Sequence, residues 1–101
     1  MGVVFRLSRA RDVVVPAQPD EALLASVAVL RHLGARITRY DAEAGTLEAR
    51  VRRFLRPALI RLRAEADGPA TRVRVESDAL GWAPMFRRFR GGLLDVVKGA
   101  S

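Results

Sequence analysis

The chain contains no cysteine, no asparagine, one glutamine, one lysine, one histidine, one tryptophan and one tyrosine. Each shortage removes a class of chemistry. Without cysteine there is no disulfide, no zinc–thiolate site and no thiol nucleophile. The redox compartment is therefore left open. His32 has no second histidine with which to build a metal site or a catalytic relay. It lies opposite the apolar stripe of its helix and is expected to face water. No apolar run is long enough to cross a bilayer. The longest, Ala22 to Leu30, is short and carries Ser26. No early stretch joins basic residues, an apolar core and a small-residue cleavage site, so no signal peptide is expected. Arg6 stands where a myristoylation signal after Gly2 needs Ser or Thr. A cytoplasmic location is the expectation.

What is abundant is arginine. The net charge is +7, and Lys98 is the only basic residue besides the arginines and His32. Arginine and alanine enrichment fits a GC-rich bacterial genome, which by itself supplies much of the basic excess. An anionic partner, whether nucleic acid, an acidic protein or a lipid surface, is the other source. At 101 residues the expectation is one domain, residues 1–101, with one core and no need of covalent staples.

The centre of the chain is Thr46 to Ser77. Leu47, Ala49 and Val51 alternate with Glu48, Arg50 and Arg52. Ile60, Leu62, Ala64 and Ala66 alternate with Arg61, Arg63 and Glu65. Val73 and Val75 alternate with Arg72, Arg74 and Glu76. Period-two alternation places one apolar and one charged face on each strand. Three such strands in a row predict an antiparallel meander. Arg53-Phe54-Leu55-Arg56-Pro57 links the first two, and Asp67-Gly68-Pro69 turns the chain into the third.

Before the meander, Val3–Leu7 and Asp12–Val15 read as one bent strand or two short ones, ended by Pro16. Pro19-Asp20-Glu21 opens a helix with an apolar stripe of Leu23, Val27, Leu30 and Leu33, closed by Gly34. Arg36–Tyr40 is a strand with Ile37 inward, and Asp41 to Gly45 is the turn. Asp78 to Ala83 reads as a loop. Pro84 starts a second helix with Phe86, Phe89, Leu93, Val96 and Val97 on one face. Gly91-Gly92 weakens that helix by about 1 kcal/mol per residue. Close approach of the helix backbone to the sheet would compensate. The order β-α-β-β-β-β-α predicts an α+β two-layer domain, with an antiparallel sheet and two helices on one face.

No pair of carboxylates is placed for acid–base work, and no glycine pattern cradles a phosphate. Asp41, Glu43 and Gly45 fall short of a calcium loop. No enzyme, metal or cofactor is expected. The sheet arginines read first as a solvated face pairing with glutamates across strands, at about 0.2–1 kcal/mol per pair. They read second as a phosphate platform, without the aromatics that stack single-stranded bases. Two clusters of like pattern stand out, Arg52-Arg53-Phe54-Leu55-Arg56 and Arg87-Arg88-Phe89-Arg90. Cations in the first turn of a helix oppose its dipole. Arg52, Arg53, Arg56, Arg87, Arg88 and Arg90, with Trp82 beside them, are therefore the candidate contacts for an anionic partner, an acidic protein or nucleic acid. Self-association through the sheet is a further expectation.

The succession V-V-V-P-A-Q-P-D-E-A-L-L…L-R-H-L-G-A-R-I-T-R-Y-D…G-T-L-E-A-R, then T-R-V-R-V-E-S and a closing amphipathic helix, resembles small bacterial α+β families of unknown function. Some of those are lipoproteins, but this chain has no lipid-bearing cysteine. The opening β-α and the closing helix also resemble a shortened helix-grip (START-like) domain. That likeness implies a ligand held between a long helix and a curved sheet, and it supplies no catalytic residue. The resulting expectation is a non-enzymatic binding or assembly domain that engages an anionic partner. Its alternatives are a binder of an apolar small molecule and a nucleic-acid-binding protein.

Overall fold

The structure is a computed structural model that describes residues 9–53, 56–77 and 82–99. The elements are β1 (Arg9–Val15), α1 (Pro19–His32), β2 (Ala35–Asp41), β3 (Thr46–Arg53), β4 (Arg56–Asp67), β5 (Ala70–Ser77) and α2 (Trp82–Gly99). The expected strand over Val3–Leu7, the Phe54-Leu55 link and the 78–81 loop lie outside the described residues.

All five strands join one antiparallel sheet in the order β1-β5-β4-β3-β2. The meander keeps sequence neighbours adjacent. β1 closes onto β5 at the far edge, which puts α1 in the crossing between the two edge strands. The period-two pattern decides which face is covered. Leu47, Ala49, Val51, Ala58, Ile60, Leu62, Ala64, Val73 and Val75 are buried on the inner face. Arg50, Arg52, Arg61, Arg63, Arg72 and Arg74 are exposed on the outer face.

α1 and α2 pack on each other and on the inner face. α1 spans β2 to β5, whereas α2 lies over β1. Phe89, Leu93, Leu23, Leu30, Leu47 and Ile60 fill the space between the layers with almost no exposure. At roughly 1.5–3 kcal/mol for each such side chain, this packing is the main favourable term. The buried face of α1 is Ala22, Leu23, Ser26, Val29 and Leu30. Val27 and Leu33, both expected in the stripe, are half-buried. Ser26 is tolerated inside because its hydroxyl donates to the Ala22 carbonyl at 2.8 Å. Gln18 is the N-cap of α1, and its N–H donates to Glu21 Oε1 at 3.4 Å.

Several expected boundaries move. β4 begins at Arg56 and so includes Pro57. Proline is accepted there because it is the second residue of the strand, three positions before Ile60, where β5 pairing stops at Ser77. α2 begins at Trp82, not at Pro84, so Trp82 is helical rather than in a loop. Pro84 sits in the first turn, where no N–H is needed. Val96, expected on the buried face of α2, is 41% exposed.

The two glycines of α2 separate. A Cβ on Gly92 would stand 2.9 Å from Val29 Cγ1, whereas one on Gly91 would meet nothing within 4 Å. The close approach expected of this helix therefore exists at one glycine, and it is made to α1 rather than to the sheet.

Candidate functional site

Antiparallel pairing sorts the ends of the elements. β1, β2 and β4 run one way, and β3 and β5 run the other. One end of the sheet, the lower end, therefore gathers the starts of β1, β2 and β4, the finishes of β3 and β5, the C-terminus of α1 and the N-terminus of α2. The upper end gathers the β2–β3 and β4–β5 turns and the N-terminus of α1.

Charge follows this division. Arg31, Arg36, Arg50, Arg52, Arg87 and Arg88 are exposed and belong to the lower end. Asp20, Glu21, Asp41, Glu43, Glu65 and Asp67 are exposed and belong to the upper end. Between them, the outer face has mixed rows. Register aligns Ala10, Glu76, Arg61, Glu48 and Arg39 in one row, and Asp12, Arg74, Arg63, Thr46 and Asp41 in the next.

Pairing is concentrated in these rows and above them. Arg61 Nε lies 3.8 Å from Glu48, and Arg63 lies 3.6 Å from Glu65. Arg72 reaches Asp12 at 3.3 Å and Asp67 at 3.0 Å, and Arg74 lies 3.9 Å from Asp12. The hydrogen bond to Asp12 and then the charge of Asp67 hold the Arg72 guanidinium above its ordinary pKa. These pairs are solvated and individually small. The expected cross-strand Arg–Glu pair occurs at Arg61–Glu48. Asp12 and Asp67, which the sequence pattern does not assign to the arginines, take Arg72. Their place diagonal to it across the strands follows only from the β1–β5 register and the β4–β5 turn.

A shallow hollow of about 680 Å³ opens over the mixed rows. Arg39, Arg61, Arg63 and Arg74 line it together with Asp41, Glu48, Glu65 and Glu76. Four cations against four anions select no ligand by charge. No group of three or more metal-ligating side chains occurs among the described residues.

The lower end is different. Arg36 and Arg50 are direct cross-strand partners on the outer face, and Arg52 is the next outward residue on β3. None of the three lies in an ion pair among the described residues. Like charges directly opposite one another are unfavourable in a sheet. Arg36 is not among the candidates that the sequence supplies. Only the register of β2 against β3 brings it to Arg50.

The other candidates divide. Arg87, Arg88 and Arg90 are exposed on α2, whose buried face carries Met85, Phe86, Phe89, Leu93 and Val97. They belong to the helix layer, whereas Arg52 belongs to the outer sheet face. The two clusters of similar sequence therefore share an end of the molecule but not a face. Arg53 ends β3, Arg56 starts β4 and Trp82 starts α2, and their side chains lie outside the described residues. His32 is exposed at the end of α1. Arg11 faces inward at the sheet edge, with its guanidinium 6.0 Å from the centre of the Phe86 ring.

No protein-family model matches the chain, and no curated protein matches it by sequence. Solved structures do. The crystal structure of Ara h 8.0201, a Bet v 1-like protein of helix-grip fold, superposes with a TM-score of 0.62 at 11% identity, over 92% of this chain and 95% of that one. TTHA0849 from Thermus thermophilus superposes with a TM-score of 0.51 at 12% identity, over 93% of this chain and 99% of that one. The chain has a helix-grip-like α+β fold. The resemblance to START-like domains is supported at the level of fold, and the resemblance to other small bacterial families has no sequence match behind it.

Proposed function

We propose that this chain is a non-enzymatic binding domain that engages an anionic partner through its lower end. The observation that carries this reading is the separation of charge along the strands. A +7 chain that merely reflected genome composition would scatter its excess. Here Asp12, Glu48, Glu65 and Asp67 pair with arginines in the middle and upper rows, and Arg36, Arg50 and Arg52 at the lower end lie in no ion pair among the described residues. An anion bound there would offset the mutual repulsion, with guanidinium forks making two-point contacts. The test compares two doubly substituted proteins of equal charge on a heparin column. Arg50→Gln with Arg52→Gln removes charge from the lower end, and Arg63→Gln with Arg74→Gln removes it from the paired rows. The first should elute at clearly lower salt than the second. Equal elution would reduce the effect to net charge and defeat the reading.

A second reading is favoured by the helix-grip-like fold, namely a domain that holds an apolar small molecule between α2 and the sheet. Ligand entry would have to displace side chains such as Phe89 and Leu93, which are fully buried. Saturable, stoichiometric uptake of a fatty acid, with a rise in melting temperature, would support it. Absence of any thermal shift at saturating ligand would count against it.

A further inference from the structure

We infer that the corner formed by Arg36, Arg50 and Arg52 on the outer sheet face binds the phosphate backbone of double-stranded nucleic acid without reading its sequence. This rests on the anionic-partner reading and specifies the surface and the occupant.

The corner is built by pairing register. Arg36 and Arg50 face one another across β2 and β3, which puts their Cβ atoms about 5 Å apart. Arg52 follows two residues along β3 on the same face. Glu48, the nearest acid along β3, is engaged by Arg61 at 3.8 Å. On the other side, Arg50 pairs with Leu59 of β4, which is uncharged and half-buried. Three exposed arginines thus sit together on the outer face with no carboxylate among their register partners.

The chemistry of the surroundings selects the occupant. No aromatic side chain lies on the outer face among the described residues, because Tyr40 pairs with the inward Leu47 and so shares the inner face. Single-stranded nucleic acid binds by stacking bases on aromatics and would gain little here. A protein partner needs a desolvated apolar anchor at the centre of its contact, and the apolar side chain that the register sets beside Arg50 is Leu59, which is already half-buried. A lipid surface favours apolar residues that insert below the headgroups. A duplex backbone asks only for cations on an accessible surface, and its affinity arises from the counterions they release. The mixed rows with Glu48 and Glu76 bound the contact on the side toward the middle of the sheet, which limits it to a few phosphates.

The experiment measures binding of the whole chain to a short DNA duplex at several salt concentrations. The comparison protein carries Arg36→Gln, Arg50→Gln and Arg52→Gln. Loss of three phosphate contacts should reduce the slope of log affinity against log salt by about 3, and should weaken binding equally for two duplexes of unrelated sequence. Thermal unfolding of the variant should be unchanged or improved, since a like-charge pair is removed. If the triple variant does not fold, Arg50→Gln alone is read, with an expected slope change of about 1. An unchanged slope and affinity would overturn the inference. So would tighter binding of the single strand, or equal competition by polyglutamate or by vesicles of anionic lipid. Retention on heparin through Arg50 and Arg52 with no duplex binding would leave the anionic-partner reading standing and refute only this occupant.

Discussion

Gly91 and Gly92 are adjacent in one helix, and their surroundings give them opposite roles. Gly91 has open space around it, so Gly91→Ala should stabilise the protein by up to about 1 kcal/mol through helix propensity. Gly92 is where α2 meets Val29, whose β-branched side chain has little rotamer freedom. Gly92→Ala should destabilise, with overpacking of about 1–3 kcal/mol outweighing the propensity gain. Chemical denaturation of the two variants tests this, and equal effects would remove the close α1–α2 contact. Thr71 is a second residue whose role is invisible in sequence. It is fully buried in β5, and its hydroxyl donates to the Ala17 carbonyl at 2.6 Å, tying the β1–α1 connection to the sheet. Thr71→Val should cost about 1–3 kcal/mol, because the Ala17 carbonyl would lose its partner. A cost within error of zero would show that water satisfies that carbonyl equally well.

Among the elements, β4 is the test of register because it is the central strand. Leu62 is 2% exposed while Arg61 and Arg63 on either side face solvent. Leu62→Ala should cost about 2–5 kcal/mol, and Arg63→Ala should change stability by less than about 0.5 kcal/mol. Similar costs at the two positions would mean that the strand is not placed as described, since a one-residue slip exchanges the faces. α2 gives a different prediction. Because it begins at Trp82, Arg87 and Arg88 fall in its second turn, where opposition to the helix dipole is weak, and its first turn carries no acid. Arg87→Gln with Arg88→Gln should leave the melting temperature unchanged or slightly raised. A clear fall would make these arginines structural. α1, with Asp20 and Glu21 first and Arg31 and His32 last, agrees with its dipole throughout. This is why its limits are legible to within a residue, whereas α2 starts two residues before its proline.

At the scale of the molecule, the fold class, the element order and the inner face are legible, because they follow from local periodicity. Leu47, Val51, Ile60, Leu62, Val73 and Val75 alternate, and burial follows that alternation. Phe86, Phe89 and Leu93 recur at helical spacing and are buried as well. The six sheet arginines likewise read onto the open face. The candidate site is legible only in part. Arg52 and Arg50 are evident on one strand, but the residue that completes their corner, Arg36, lies on another. Asp12 is distant from Arg72 in sequence and becomes its partner by way of the β1–β5 pairing. Thus the composition, the alternation and the helix caps, all properties of residues near one another in the chain, determined the layers, the core and the surplus of arginine. The strand order and register decided which arginines are neutralised and which are left facing one another, because charge interaction depends on distance in space and that distance is set by pairing between segments far apart in the chain.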